Sequence, residues 1–163
     1  MSKRIFIING MGGSGKDTFV EIVKKTYPRT LNISSVEFVK KIAEECGWDG
    51  SKTERNRKFL SDLKDLLTQW DDVPNKKIDD IIKYYCGDIV FIHAREPDNI
   101  EYLKNKYNAL TILIVNTRVD DITSNHADAG VYDYVYDYII ENNGSIEDLE
   151  QAAQTFMEAI NEK

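Results

Sequence analysis

The sequence predicts a three-layer α/β fold with a mainly parallel five-stranded sheet. Three apolar runs, at residues 5–8, 89–92 and 110–115, are typical of central parallel strands, which are covered on both faces. Residues with helical spacing separate these runs, as expected because parallel neighbours need a crossover connection. Shorter strands are predicted at 30–33 and 138–140, and they complete the sheet.

The helices are predicted from apolar residues three and four positions apart. One helix follows residue 15 and ends before Pro28, a second covers 36–46, and a break at 47–50 precedes a long helical stretch. A crossover helix is expected around 100–107, and a last helix begins after Ser145, which can cap it. We assign two stripes of the long stretch to core packing, namely Phe59, Leu60, Leu63, Leu66, Leu67 and Trp70 before Pro74, and Ile78, Ile81, Ile82 and Tyr85 after it.

A chain of 163 residues with 42% hydrophobic residues is long enough for one well-buried domain and too short for two substantial ones. We therefore expect residues 1–163 to form a single domain. Segment 34–86 is too long for a simple crossover, so it is predicted to be a helical insertion. We expect a polar, tyrosine-rich loop at about residues 118–136.

The formal net charge of −7 and the pI of about 4.9 argue against nucleic-acid or membrane binding, which needs a basic face. Any phosphate ligand must then be held by a few focused cations. Cys46 and Cys86 are far apart and lack metal-ligand spacing, which favours a reducing interior. The amino-terminal residues show no signal-peptide pattern, so we expect a cytoplasmic protein.

The most informative segment joins the first predicted strand to the first helix. Gly10 and the Gly15-Lys16 pair have the Walker A spacing, in which backbone N–H groups surround phosphate oxygens at a helix amino terminus. Lys16 is expected to face solvent and to reach the outer phosphates. The predicted phosphate-binding residues are Gly10, Met11, Gly12, Gly13, Ser14, Gly15, Lys16, Asp17 and Thr18. This segment makes the chain a candidate phosphoryl-transfer enzyme.

Asp17 stands where Ser or Thr usually contacts magnesium. A carboxylate beside a polyphosphate is unfavourable unless a cation lies between them, so Asp17 is predicted to face Mg²⁺ directly or through water. The alternative is that Asp17 only stabilises a helix amino terminus.

Charged residues follow the other central strands at the edge where ligands of parallel sheets bind. Arg95 and Arg118 are predicted to converge with Lys16 at this edge, where guanidinium groups suit phosphate recognition. Arg95 is expected to bind an acceptor phosphate, with a solvated helix start as the alternative. For Arg118, a phosphate-binding role and a solvated surface position are both open. His93 is expected to be half-buried and hydrogen-bonded rather than catalytic, and His126 to be a surface residue.

Residues 52–58 are the densest basic cluster of the acidic chain. Arg55 or Arg57 binds an anionic acceptor, or the cluster is a solvated helix face. Glu96 and Asn99 are predicted either to contact the base of an acceptor or to cap a helix.

These segments together resemble the nucleoside monophosphate kinases, and most of all the compact deoxynucleoside monophosphate kinases of phages and some bacteria. Residues 15–18 match the unusual Lys-Asp version of the phosphate loop in that group. Residues 41–52, with Arg57 soon after, are similar to its acceptor-binding insertion. Residues 95–99 look like its arginine-containing turn, and residues 137–149 resemble its closing strand and helix.

The resemblance implies a P-loop NTPase fold and transfer of the ATP γ-phosphoryl group to a (deoxy)nucleoside monophosphate with Mg²⁺. Lys16 would then bridge the phosphates of ATP, Asp17 would hold the metal, and Arg95 would clamp the acceptor. Arg118 would steady the migrating group from a short lid at about 118–136, and 34–86 would be the acceptor-binding insertion. We expect a monomer or a homodimer whose partners are its nucleotide substrates.

Two features depart from this group. His93 replaces an expected aspartate, and residues 126–129 only partly follow the lid-side pattern. The alternatives are a related small-molecule kinase, such as a dephospho-coenzyme A kinase, and a nucleotide-binding protein without catalysis. A GTP-dependent switch is disfavoured because Arg118 replaces the lysine of the guanine-reading pattern.

Overall fold

The computed structural model describes residues 3–119 and 130–161. In chain order the elements are β1 (Arg4–Asn9), α1 (Lys16–Thr26), β2 (Thr30–Ser34), α2 (Ser35–Glu45), α3 (Glu54–Asp71), α4 (Val73–Tyr84), β3 (Ile89–His93), α5 (Pro97–Tyr107), β4 (Leu110–Val115), β5 (Tyr138–Glu141) and α6 (Ile146–Asn161). Within the described ranges, no helix has both the length and the apolar character needed to cross a bilayer.

The five strands form one sheet in the order β2-β3-β1-β4-β5. Strand β1 is central and pairs in parallel with β3 and β4, with Phe6 opposite Phe91 on one side and Leu110 on the other. Strand β4 pairs in parallel with β5. The predicted α/β fold and the five predicted strands are confirmed. Because the paired strands are parallel, the segments after β1, β3 and β4 emerge at the same edge of the sheet.

Helices α1 and α6 pack together on one face of the sheet, over an aromatic cluster. The ring of Phe6 in β1 lies 5.0 Å from Phe91 and 5.4 Å from Phe156, and Phe19 of α1 lies 5.9 Å from Phe156. These centroid distances are typical of favourable aromatic pairs. The cluster therefore fixes the start of α1, which carries the phosphate loop, against the central strands.

Helix α5 covers the other face and contacts β1 and β4. Its Ile100 and Leu103 side chains are fully buried, as is Ile7, which points away from the Phe6 face because side chains alternate along a strand. The sheet thus lies between two helical layers, which is the arrangement predicted from the uninterrupted apolar runs.

The chain divides into two compact units. One contains the described residues up to Asn32 and those from Gly87 onward, and the other contains Ile33–Cys86. In the second unit α2, α3 and α4 pack against one another. The buried apolar side chains of that unit include Val39, Ala43, Ile78 and Ile82.

One prediction about this helical unit is wrong. Helix α3 has no buried residue, and its Leu66 and Trp70 side chains are 63% and 77% exposed. Phe59 and, on α4, Ile81 are also exposed. The predicted stripe is wider than the part of α3 that its neighbours cover. Leu60, Leu63 and Leu67 are partly buried, whereas Phe59, Leu66 and Trp70 are centred about 70° further around the helix and are exposed. The assignment to the core holds for Ile78 and Ile82.

Candidate functional site

The loop between β1 and α1 requires glycine at two positions for steric reasons. A Cβ atom on Gly10 would lie 2.5 Å from the carbonyl oxygen of Ile114, and one on Gly15 would lie 2.4 Å from the side-chain nitrogen of Asn142. Gly15 also has a φ of +100°, which other residues rarely adopt. The loop is therefore held against β4 on one side and against the turn after β5 on the other.

The first turn of α1 carries backbone donors that have no acceptor within the helix. Gly15 is the N-cap residue, and no described side chain caps this end. The first hydrogen bond of the helix runs from Phe19 N to Gly15 O at 2.9 Å, so the N–H groups of Lys16, Asp17 and Thr18 have no acceptor within the helix. Three N–H groups at the positive end of a helix are suited to an anion such as a phosphate.

The Lys16 side chain folds back onto the loop. Its ammonium group donates to Gly10 O at 2.6 Å and to Met11 O at 2.9 Å, and the residue is partly buried. The expectation that Lys16 faces solvent is therefore wrong, because the loop turns two carbonyl groups towards the first turn of α1, where an ammonium group needs acceptors. The charge nevertheless lies inside the loop, next to the N–H groups of the first turn of α1.

Other loop residues fix its shape. The Met11 side chain is buried against Leu113 and Val131, so Met11 can contact a ligand only through its backbone. Ser14 is buried, and its hydroxyl has no hydrogen-bond partner among the described residues. Gly12, Gly13 and Thr18 are exposed at the loop surface.

Asn9, the last residue of β1, was not identified as a site residue by the sequence. Its side chain is fully buried and makes three hydrogen bonds: Oδ1 accepts from Gly10 N at 2.8 Å, and Nδ2 donates to Tyr136 Oη at 2.7 Å and to Arg95 O at 3.2 Å. Nothing in the sequence distinguishes Asn9 from an ordinary strand terminator. This amide links the phosphate loop to the segments after β3 and before β5.

The turn between β5 and α6 docks on the phosphate loop and holds Arg118. Asn142 Nδ2 donates to Ser14 O at 2.9 Å. The guanidinium of Arg118 donates to Gly144 O at 3.2 Å and to Asn142 O at 3.5 Å, and its Nε atom lies 3.4 Å from Asn116 Oδ1. Arg118 is thus connected to the phosphate loop through Asn142, on an exposed surface.

Asp17 lies in a short hydrogen-bonded chain with two residues from neighbouring strands. Asn32 Nδ2 donates to Asp17 Oδ1 at 3.1 Å, and His93 Nε2 lies 2.6 Å from Asn32 Oδ1. The side chain of Asp17 is 82% exposed, whereas that of His93 is 14% exposed. The expectation of a hydrogen-bonded His93 is confirmed, and its side chain is more buried than the half-buried state that was expected. Asn32 was not identified as a site residue from the sequence.

The predicted acceptor residues lie in both units. Arg95 follows β3 by two residues and is partly buried, and Asn99 is partly buried in the first turn of α5. Glu96 is the N-cap of α5, but its side chain makes no capping hydrogen bond. Arg55 and Arg57 are exposed near the start of α3, in the helical unit. Asp120, His126 and the rest of 120–129 lie outside the described residues, so most of the predicted lid does too.

The residues at the carboxyl-end edge of the sheet fit a magnesium nucleotide. Uncapped N–H groups and a lysine ammonium match the charge of a polyphosphate, and the exposed carboxylate of Asp17 is the hard oxygen ligand that Mg²⁺ prefers. Lys16, Arg95 and Arg118 all follow carboxyl ends of strands of one sheet, as predicted. Their individual roles stay predictions.

Comparison with known proteins supports the fold. No protein-family model matches the sequence, and no curated protein matches it significantly. Among solved structures, shikimate kinase from Bacteroides thetaiotaomicron is 14% identical, with 98% of both chains covered and a TM-score of 0.56. Thymidylate kinase from Candida albicans is 13% identical over 98% of this chain and 93% of that chain, with a TM-score of 0.53.

A third similar structure contains a nucleotide analogue. The APS kinase CysC from Mycobacterium tuberculosis, in complex with AMPPNP and APS, is 13% identical, covers 98% of both chains and has a TM-score of 0.52. At such identities the likeness establishes the fold alone. The predicted P-loop fold is confirmed, and the chain has the fold that these kinases share.

Proposed function

We propose that this protein is an ATP-dependent kinase that transfers the γ-phosphoryl group to a nucleoside monophosphate or deoxynucleoside monophosphate. The observation that carries the proposal is the uncapped amino terminus of α1, with the Lys16 ammonium held inside the same loop. A helix amino terminus without a side-chain cap, with a lysine beside it, is suited to the phosphates of a nucleoside triphosphate.

On the ATP side, the backbone of Gly10–Gly15 and the N–H groups of residues 16–18 bind the phosphates. Lys16 exchanges its contacts with Gly10 O and Met11 O for contacts with the outer phosphates, a movement that its flexible side chain permits. Asp17 holds Mg²⁺ directly or through water. The metal, when bound, neutralises phosphate charge and orients the transferring group.

On the acceptor side, the proposal relies on arginine. Arg95 is the anchor for the acceptor phosphate, because a guanidinium group binds phosphate oxygens in pairs. Its backbone is fixed by the hydrogen bond from Asn9, so its side chain starts from a defined point beside the phosphate loop. Asn99, one turn later on α5, is the candidate contact for the acceptor base, and Arg55 and Arg57 are further candidate contacts for an anionic acceptor.

Phosphoryl transfer depends on positioning and charge stabilisation more than on proton removal. Lys16 and Arg118 supply positive charge for the migrating group, and Arg118 must first release Gly144 O and Asn142 O. The acceptor phosphate itself is the nucleophile and is already ionised at neutral pH. No strong general base is therefore required, which is compatible with a histidine at position 93.

The test is to incubate the protein with ATP, Mg²⁺ and each common deoxynucleoside monophosphate and to separate the nucleotides by chromatography. The proposal expects ADP together with one deoxynucleoside diphosphate. Shikimate, APS and dephospho-coenzyme A are tested alongside, since a product from one of these would indicate a related small-molecule kinase instead. Tight ATP binding without any turnover would indicate a binding protein.

Lys16→Met is the decisive variant, and Lys24→Met on the exposed side of α1 is its matched control. Loss of an essential phosphate-binding charge is expected to lower kcat/KM by at least about a hundredfold, while the control stays near the parent value. Comparable activity in both variants would contradict the assignment of Lys16.

Arg95→Ala should reduce acceptor use more than ATP binding. An equal loss in both would indicate that Arg95 binds ATP rather than the acceptor.

A further inference from the structure

We propose that Asn32 is a positioning residue for the metal-binding carboxylate of Asp17, and that His93 orients Asn32. The inference rests on the proposed function, because it assigns a second role to residues beside the magnesium site. Asp17 belongs to the first turn of α1, Asn32 to β2 and His93 to the end of β3, so three separate elements meet at this point.

The hydrogen bonds define which way the Asn32 amide points. Its nitrogen donates to Asp17 Oδ1 at 3.1 Å, and its oxygen faces His93 Nε2 at 2.6 Å. The reversed amide would place an acceptor oxygen against the carboxylate, which is repulsive. Because the Asn32 oxygen can only accept, the His93 ring must carry a hydrogen on Nε2. His93 thus holds the amide in the orientation that serves Asp17.

His93 does not perform this task directly. Its Nε2 atom lies 3.6 Å from Asp17 Oδ1, which is too long for a hydrogen bond. The carboxylate therefore receives its hydrogen bond from a neutral amide and keeps its negative charge available for a cation. A direct bond from a charged histidine would compete with the metal for the same carboxylate.

The exposure of Asp17 explains why positioning is needed. With 82% of its side chain exposed, the carboxylate has little packing to restrict its rotamers. The hydrogen bond from Asn32 fixes Oδ1, so Oδ2 remains for Mg²⁺ or for a water molecule bound to it. Residues that orient a metal ligand in this way commonly change metal affinity when they are replaced.

The experiment measures Mn²⁺ binding to the complex of the protein with AMPPNP, followed by the decrease of the free Mn²⁺ signal in electron paramagnetic resonance. Asn32→Ala is expected to weaken Mn²⁺ binding about tenfold. AMPPNP binding without metal is expected to be unchanged, because the described contacts of Asn32 are with the Asp17 carboxylate and with His93 rather than with the backbone N–H groups proposed to bind phosphate. A residue with a purely structural role would not produce this separation.

The His93 variants test the order of action. His93→Leu should weaken Mn²⁺ binding in the same direction but less, and the double variant Asn32→Ala/His93→Leu should match Asn32→Ala alone, because His93 acts through Asn32. His93→Gln supplies an N–H donor for the Asn32 oxygen and should restore binding towards the parent value. Additive losses in the double variant would overturn the proposed order.

The outcomes separate this inference from the proposed function. If AMPPNP does not promote Mn²⁺ binding in the parent protein, or if Asp17→Asn binds Mn²⁺ as the parent does, the metal site and the inference both fail. If the parent and Asp17→Asn behave as expected but Asn32→Ala binds Mn²⁺ normally, only the inference fails. Asn32→Ser tests the same bond should Asn32→Ala unfold, which thermal unfolding without ligand shows.

Discussion

The side-chain nitrogen of Asn9 lies 2.7 Å from the hydroxyl oxygen of Tyr136, and this contact joins the end of β1 to the segment before β5. The Tyr136 hydroxyl donates in turn to Val131 O at 2.7 Å. Burial raises the pKa of Tyr136, with the charge of Asp133 adding to it and the hydrogen bond from Asn9 opposing it. The hydroxyl therefore keeps the proton that it donates to Val131.

Tyr136→Phe removes this hydroxyl and should lower the free energy of unfolding by about 1–2 kcal/mol, because Val131 O and one Asn9 N–H lose their partner in a half-buried place. Urea unfolding measures the change. Tyr102→Phe is the control, since that hydroxyl is exposed and accepts from Lys106, and its effect should stay within about 0.5 kcal/mol. Equal losses in the two variants would show that the Asn9 contact contributes nothing.

Gly15→Ala should weaken AMPPNP binding at least about tenfold, because alanine is strained at a φ of +100° in the loop and its Cβ atom would push the Asn142 amide away from Ser14 O. Calorimetry measures the affinity. Gly47→Ala is a matched control, since Gly47 also has a positive φ, of +94°, but has no atom within 4 Å of the added Cβ. It should cost about 1 kcal/mol of stability and leave the affinity unchanged. A loss of affinity in the control as well would attribute the effect to general destabilisation.

Asp137 makes stability depend on pH. Burial opposes ionisation of its carboxyl group, but hydrogen bonds from the Thr111 N–H and hydroxyl and from Lys104 outweigh it and lower the pKa of Asp137. Because the pKa is lowered in the folded state, the contribution of Asp137 to stability is fully present above the unfolded pKa of about 3.9. It is lost as the pH falls through the folded pKa.

Asp137→Asn should therefore lower the free energy of unfolding by about 1–2 kcal/mol at pH 7. The difference from the parent should narrow as the pH falls below about 4 and through the folded pKa of Asp137, where the folded carboxyl group also becomes neutral. Denaturant unfolding at several pH values measures it. Asp65→Asn on the exposed part of α3 controls for the loss of a surface charge. A difference that does not vary with pH would exclude the ionised carboxylate as its source.

Trp70 and Ile78 test which apolar residues of the helical unit contribute to its core. Trp70→Ala should change the free energy of unfolding by less than about 0.5 kcal/mol, because the side chain is 77% exposed. Ile78→Ala should cost about 2–5 kcal/mol, because Ile78 is 1% exposed and its truncation leaves a cavity. A large loss for Trp70→Ala would mean that this side chain is covered in solution.

The local patterns were sufficient for the elements of the sheet and for the phosphate loop. Uninterrupted apolar runs predicted β1, β3 and β4, since a strand covered on both faces cannot alternate with polar residues. The spacing of Gly10, Gly15 and Lys16 predicted the loop because its conformation depends on residues adjacent in sequence. The burial of the α3 stripe could not be predicted, because periodicity identifies an apolar face and not whether a neighbour covers it.

The sequence by itself therefore determined a parallel α/β fold with a phosphate-binding loop at a helix amino terminus, since both depend on local backbone preferences and on the order of apolar segments. The tertiary structure alone decided that Asn9 is bonded to Tyr136, that Asn142 supports the loop, and that Asn32 lies between Asp17 and His93. Along the chain, Asn9 and Tyr136 are 127 positions apart, Asn142 and Ser14 are 128 apart, and Asn32 and His93 are 61 apart. Only the packing of parallel strands brings their polar groups within hydrogen-bonding distance.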